Sequence, residues 1–186
     1  GDFAWSRGYA PANGGLNMVD ITADSEGNLI VMGQMSEEID LGGGPLTGTG
    51  YNDLFLLKLG GDGSHRFSKR ISGPSDNGYM QAMSVGTDKN KNIFVGGTFE
   101  GPVNFGTGTL QNQGGSDIFV AQFDANGKAT KSSRFGGTEW ESLRSMAVDP
   151  WGNIILFGTF NGTIDFGTGE LLNSESSPKM FLARVK

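Results

Sequence analysis

Asn28-Leu-Ile-Val-Met-Gly33 occurs in two further versions in this chain, Asn92-Ile-Phe-Val-Gly-Gly97 and Asn153-Ile-Ile-Leu-Phe-Gly158. At one fixed distance downstream stand Ile39-Asp-Leu-Gly42, Val103-Asn-Phe-Gly106 and Ile164-Asp-Phe-Gly167. The copies lie 64 residues apart from Asn28 to Asn92 and 61 residues apart from Asn92 to Asn153. Self-similarity at a fixed period indicates that one supersecondary unit is repeated and stacked.

Each repeat contains short segments that are typical of β-strands. The segments are rich in Val, Ile, Phe and Thr and are bounded by Gly, Asn, Asp and Ser. Residues 53–59, 117–123 and 179–185 correspond to one another, as do Trp5-Ser-Arg-Gly8, Lys69-Arg-Ile-Ser72 and Ser133-Arg-Phe-Gly136. Because no stretch combines a 3.6-residue apolar period with helix caps, we expect almost no helix.

Segment 93–99 carries bulky apolar side chains on both of its faces, with Ile93, Val95 and Phe99 on one side and Phe94 on the other. Such a strand is covered on both sides, as when small sheets stack flat against each other. Four short strands per unit, radially stacked, describe a β-propeller blade. The sequence therefore predicts an all-β propeller of three four-stranded antiparallel blades, forming a half-ring or part of a larger closed propeller. Residues 1–186 form a single propeller segment with repeats at approximately 1–65, 66–130 and 131–186.

Acidic residues and glycines recur at the predicted hairpin turns. In Asp24-Ser-Glu-Gly-Asn28 and Asp149-Pro-Trp-Gly-Asn153 an Asx-type Asp opens the turn and Gly supplies the left-handed position. Lys91 replaces this Gly in the second copy, so we expect Asn90 to adopt the positive φ there. Asp40, Asn104 and Asp165 also recur, and a ring of such oxygens is an alternative site for Ca²⁺. We favour turn formation and expect no bound metal and no cofactor.

Composition excludes several function classes. Glycine contributes 32 of 186 residues, the net charge is −6, and there is no cysteine. The sequence has no basic stripe of the kind that binds nucleic acid and no apolar run long enough to insert into a membrane. Without cysteine there is no disulfide and no thiol chemistry.

Residues 149–171 (DPWGNIILFGTFNGTIDFGTGEL) and 115–127 (GSDIFVAQFDANG) resemble the bacterial β-propeller repeat called SBBP. The resemblance covers essentially the whole chain, in three copies. It implies a propeller, usually in a bacterial protein that is secreted or exposed at the cell surface, and hence an extracellular or cell-surface location. The family has no established set of catalytic residues, so the resemblance assigns none here.

Three blades are too few for a closed propeller, which typically has four to eight. The N-terminal strand, residues 3–9, is out of phase, because the equivalent segments follow the strands at 53–59 and 117–123. The last repeat lacks this follower. We therefore expect a homodimer in which each N-terminal strand closes the partner's last blade, giving a six-bladed ring of twofold symmetry. The alternative is that the chain is part of a longer propeller.

One cluster of loop residues is a candidate ligand-binding face. The loops that enter the first strand of the second and third blades would share one end of the ring, and they carry Asp76, Asn77, Tyr79, Trp140 and Glu141. Aromatic surfaces with polar neighbours suit a glycan or a peptide. In the alternative interpretation, Tyr79 and Trp140 only cover contacts between blades.

Catalysis is not expected. His65, the only histidine, lies in a glycine-rich segment without a partner constellation, and no nucleophile elbow, phosphate loop or zinc-ligand spacing is present. The sequence thus predicts a non-catalytic binding or scaffold module. A lectin-like propeller that binds carbohydrate through its loop aromatics is the first alternative, and a propeller hydrolase or lyase is the second.

Overall fold

The computed structural model describes residues 2, 4–11, 15–49, 53–73 and 78–186, and all regular structure in these residues is β. The first repeat contains β1 (Leu16–Ala23), β2 (Leu29–Met35), β3 (Ile39–Asp40), β4 (Pro45–Leu46), β5 (Asp53–Leu59) and β6 (His65–Ile71). The second contains β7 (Tyr79–Thr87), β8 (Ile93–Glu100), β9 (Val103–Asn104), β10 (Thr109–Leu110), β11 (Asp117–Phe123) and β12 (Ala129–Phe135). The third contains β13 (Glu141–Val148), β14 (Ile154–Phe160), β15 (Gly162–Asp165), β16 (Glu170–Asn173) and β17 (Lys179–Val185).

Each repeat forms one antiparallel sheet. The strand orders are β1-β2-β5-β6 in the first blade, β7-β8-β11-β12 in the second and β13-β14-β17 in the third. A two-stranded hairpin is inserted after the second strand of every blade: β3–β4, β9–β10 and β15–β16. The predicted all-β blade architecture is confirmed, and the third sheet has three strands among the described residues.

The blades stack in chain order, with the second blade between the other two. β7 contacts β1 on one side and β13 on the other. One apolar cluster fills the space between the first and second blades, and another fills the space between the second and third. Residues 93–99 of β8 are all buried, so the prediction that this strand is covered on both faces is confirmed.

The glycine that ends the repeated motif is required by close packing within each blade. A Cβ at Gly97 would collide with the carbonyl oxygen of Gln81 on β7 and would lie 2.7 Å from the Phe119 ring on β11. Gly33 and Gly158 meet the equivalent carbonyl and phenylalanine in the other blades. Only a residue without a side chain lets the phenylalanine ring lie flat across the strand at this point.

The turns at Asp24, Asp88 and Asp149 have one geometry. In the first, Asp24 Oδ1 accepts hydrogen bonds from the backbone N–H groups of Glu26 and Asn28, at 2.9 and 3.0 Å. Gly27 follows with φ 75°. In the second turn Lys91 has φ 67°, so our expectation that Asn90 would adopt the left-handed conformation is wrong. Asp88 fixes the turn through the same two acceptor contacts, and these impose the left-handed conformation on Lys91.

The N-terminal segment packs against the first blade without forming a strand. Residues 4–10 have no strand assignment. Trp5 Nε1 donates a hydrogen bond to the carbonyl oxygen of Gly61, at 3.0 Å, and its ring lies against Gly63. The strand predicted over 3–9 is therefore not formed within the described residues of a single chain, because β17, the edge that it would pair with, belongs to the far blade.

Candidate functional site

Tyr79 and Trp140 occupy equivalent positions at the start of neighbouring inner strands. Tyr79 opens β7 and Trp140 directly precedes β13. The Tyr79 side chain is 40% exposed and the Trp140 side chain 57% exposed. Because β7 and β13 are adjacent, both aromatic residues lie at the same end of the stack. The structure therefore places these two predicted residues on one surface.

Each aromatic side chain also makes an intramolecular contact. The Tyr79 hydroxyl donates to Gln81 Oε1 at 2.7 Å, and partial burial, assisted by Glu100, raises the pKa of the phenol. The indole of Trp140 covers Gly115, where a Cβ would collide with the ring. Trp140 thus serves as a cover for the preceding blade, as in the alternative interpretation, while more than half of its surface stays accessible.

Glu141 does not belong to the accessible surface. Its side chain is 1% exposed and lies with Asp117 and Arg134 at the junction of the second and third blades. Glu141 Oε2 accepts a hydrogen bond from the backbone N–H of Gly137 at 3.0 Å, and Arg134 pairs with Asp117 at 2.6 Å. The carboxyl group is unavailable to a ligand at the surface because the sheet encloses it.

The two acidic side chains at this junction share one site. Asp117 Oδ1 and Glu141 Oε1 are buried without a donor among the described residues, and both carboxyl groups crowd Gly136. Burial raises the pKa of Glu141 to about 7, and the charge of Asp117 acts in the same direction, against the Gly137 amide and Arg134. A proton on Glu141 donated to Asp117 would satisfy both oxygens.

Among the described residues, the equivalent junction between the first and second blades contains a single acid, Asp53. Met80 occupies the position of Glu141 there. Asp53, the counterpart of Asp117, accepts a hydrogen bond from the backbone N–H of Gly73 at 2.8 Å. The buried acid pair is therefore specific to the junction of the second and third blades. The sequence shows it only as Glu at a position that is otherwise apolar.

Two predicted site residues, Asp76 and Asn77, lie outside the described residues. The ligand-binding role of the remaining pair, Tyr79 and Trp140, stays a prediction.

The recurring acids form turns. Asp40 Oδ1 accepts the N–H groups of Gly42 and Gly44, and Asn104 and Asp165 make the corresponding contacts with the glycines that follow them. Within the described part of the chain, no group of three His, Asp or Glu side chains could hold a metal ion. His65 begins β6 and packs its ring on Gly43, with Nε2 3.1 Å from the Ser68 hydroxyl.

The third blade presents an apolar face that no other described residue covers. Met180 and Leu182 on β17 are each 73% exposed, and Phe157 on the neighbouring β14 is also exposed. The residues aligned with Met180 and Leu182 in the second blade, Ile118 and Val120, are 0% and 4% exposed. Sequence analysis did not name these residues; aligning the repeats strand by strand identifies them.

The first blade is open on its opposite face. Met18 and Ile21 on β1 are exposed. Their counterparts are buried: Ala82 and Val85 under the first blade, Leu143 and Met146 under the second. The stack therefore ends in two different faces, each of which has a buried equivalent inside the same molecule.

None of the described residues is helical, so this part of the chain contains no helix that could cross a membrane.

Comparison with known proteins supports a propeller-type repeat. No family model matches the chain, so the resemblance to the SBBP repeat stays a prediction at family level. The chain is 28% identical over 120 residues to an uncharacterized WD repeat-containing protein of Acanthamoeba polyphaga mimivirus. The match covers 61% of this chain and 8% of that protein. WD repeats form the four-stranded blades of β-propellers, so the similarity agrees with the blades described above.

Proposed function

We propose that this chain is a non-catalytic interaction or scaffold module that completes its propeller by strand exchange with a second copy. The observation that supports this function is the apolar face of the third blade at Phe157, Met180 and Leu182. Exposed apolar patches of this kind mark surfaces that bind another protein. WD-repeat propellers are radial stacks of the same kind, which favours an interaction role over catalysis.

The mass in solution tests the proposal. Sedimentation equilibrium over a wide range of protein concentration should show a species of twice the 19.7 kDa chain mass. A well-folded monomer at every concentration would exclude a second copy as the component that closes the ring. The remaining candidate would then be a longer propeller that contains this segment.

Carbohydrate binding is the second candidate function. It is favoured by the exposure of Tyr79 and Trp140 at one end of the stack, because aromatic surfaces stack on sugar rings. A glycan array followed by titration, monitored by tryptophan fluorescence, tests it. Trp140→Ala should abolish the binding of any glycan found, whereas Trp151→Ala, an exposed tryptophan in a turn of the third blade, is the matched control. Equal binding by both variants would refute this face as the site.

The extracellular or bacterial cell-surface location is part of the same proposal. It rests on the likeness of residues 115–127 and 149–171 to the SBBP repeat. Fractionation of cells that produce the native protein, with protease accessibility of intact cells as the measurement, tests it. Recovery of the protein only after lysis would refute it.

A further inference from the structure

In the part of the chain that the structure describes, the third blade has a free edge where the other blades have a fourth strand. β5 pairs with β2 on one side and β6 on the other, and β11 pairs likewise with β8 and β12. Among the described residues β17 pairs only with β14. Its outer backbone N–H and C=O groups are therefore available to another strand.

The N-terminal segment lies where the outer strand of a preceding blade would lie. Within the chain, the outer strand β6 contacts the next blade at Gly127: Lys69 Nζ donates to the Gly127 carbonyl at 2.9 Å, and Phe67 packs on the same glycine. The Trp5 ring packs in the same way on Gly63, which aligns with Gly127, so the structure places Trp5 at the position of Phe67, two residues from the Lys69 alignment drawn from the sequence. The segment thus already makes the contacts of a fourth strand with the next blade, although it pairs with no sheet among the described residues.

We propose that residues 4–9 of a second copy add to β17 as its fourth strand, in the register that places Arg7 opposite Leu182 and Trp5 opposite Arg184. This inference rests on the proposed closure by a second copy and specifies its interface. Two such contacts, one from each chain, give a six-bladed ring.

The register follows from the two complete blades. Lys58 pairs with Phe67 and Leu56 with Lys69 in the first blade. Gln122 pairs with Lys131 and Val120 with Ser133 in the second. Arg184 and Leu182 occupy the first of each pair in β17, and Trp5 and Arg7 occupy the second in the N-terminal segment. Both blades therefore define the same pairing.

The two open faces fit the same arrangement. In the chain, Ile118 and Val120 of the second blade pack in one apolar cluster with Leu143 and Met146 of the third. Met180 and Leu182 would meet the residues aligned with those two, Met18 and Ile21 of the second copy. Both exposed sets then become buried by contacts that already occur within the molecule.

A polar contact supports the same partner. Lys58 of the first blade pairs with Asp24 at 2.9 Å and donates to the Ala125 carbonyl of the second blade at 3.2 Å. In the third blade Arg184 pairs with Asp149 at 3.0 Å but is largely exposed. The group aligned with the Ala125 carbonyl is the Gly61 carbonyl, which Trp5 occupies with one hydrogen bond. A carbonyl has two lone pairs, so Arg184 of the other copy can use the second.

A single chain cannot make this pairing itself. The first and third blades lie on opposite sides of the second, and three blades are fewer than the smallest closed propellers contain. Residues 4–9 and β17 of one chain therefore do not meet, and we assign the pairing to a second copy.

Paired cysteines test the register, since the chain has no cysteine of its own. The double variant Arg7→Cys/Leu182→Cys is oxidised at low protein concentration and examined by non-reducing gel electrophoresis. The control is Ser6→Cys/Leu182→Cys, which is displaced by one residue, so that its side chains point to opposite faces of the sheet. All three positions are exposed, so both variants should fold. The matched pair should form covalent dimers roughly tenfold faster than the displaced pair.

The outcomes separate the register from the closure. Covalent dimers formed preferentially by the matched pair support the proposal. A dimeric mass with equal cross-linking of both pairs overturns the register and leaves closure by a second copy intact. A monomeric mass for the unmodified chain overturns both.

Discussion

The covered face of the second blade and the open face of the third are built from the same strand positions and the same kinds of side chain. Ile118 and Val120 are buried, whereas Met180 and Leu182, at the same positions, are almost three-quarters exposed. The strands, the bulge in the inner strand and the inserted hairpin are alike in both blades. The difference therefore lies in the neighbour: a repeat encodes two buried faces whether or not the same chain supplies both neighbours.

Substitutions in the ion pairs should show the largest difference in stability loss between the covered and the open blade faces. Lys58→Ala should lower the free energy of unfolding by about 3 kcal/mol, because it leaves the buried Asp24 carboxylate without its cation. Arg184→Ala removes the exposed counterpart and should change the stability of the dilute monomer little. Urea unfolding measures both. Equal losses would show that the third-blade pair is as well covered as the first.

Substitutions at the aligned apolar positions of β11 and β17 should show the next largest difference in stability loss. Ile118→Ala should lower the free energy of unfolding by about 2–4 kcal/mol, because it leaves a cavity between the second and third blades. Met180→Ala should cost at most about 0.5 kcal/mol at low protein concentration. If a second copy covers Met180, the cost of its substitution grows with protein concentration. A cost that is independent of concentration would contradict such a cover.

The buried acids Glu141 and Asp24 should make the free energy of unfolding depend on pH in opposite directions. The folded protein raises the pKa of Glu141 to about 7, so its contribution is fully present below the unfolded value near 4.5 and is lost as the pH rises through 7. The loss amounts to at most about 3 kcal/mol. Glu141→Gln should remove this slope between pH 5 and 8, since the amide can donate to Asp117 at any pH. The free energies of unfolding of the unmodified protein and of Glu141→Gln, measured across this pH range, test the prediction. An equal slope in both would be inconsistent with a raised pKa of Glu141.

Asp24 provides the internal control for that experiment. Burial raises its pKa, but the stronger combined effect of Lys58, Asn28 and two backbone N–H groups holds it at about 2. Its contribution is present above the unfolded value near 3.8 and is lost as the pH falls toward 2. Asp24 therefore adds no slope between pH 5 and 8.

Substitutions at the left-handed position of the turns after the first strands of the second and third blades should change stability least. Gly152→Ala in the third blade should cost about 1 kcal/mol, because φ is 83° there. Lys91→Gly at the same position of the second blade should raise the melting temperature slightly, since glycine relieves the positive φ. The gain is reduced by the loss of the Lys91–Glu26 ion pair. A lower melting temperature would indicate that the ion pair outweighs the backbone strain.

Periodicity predicted the blades well, because each strand is a short local pattern that occurs three times. The burial of Glu141 could not be predicted, since it depends on Asp117 and Gly137 from neighbouring strands. The positive φ of Lys91 was missed because the side-chain acceptor of Asp88, rather than the residue's own preference, sets the turn. Whether residues 4–9 form a strand depends on which sheet edge lies next to them, and the local sequence carries no information about that neighbour.

The free edge of β17 also bears on how the protein behaves when no partner is bound. The two ends of the stack are complementary but different, so in the proposed assembly any arrangement that does not close leaves a further β17 edge and a further first-blade face exposed. Whether addition stops at two copies or continues as a fibre depends on the rotation between successive blades, about 60° for a ring of six. A bulkier residue at Gly86, which lies against Val148 of the next blade, would change this rotation and, in the proposed assembly, favour an open-ended polymer over a closed ring.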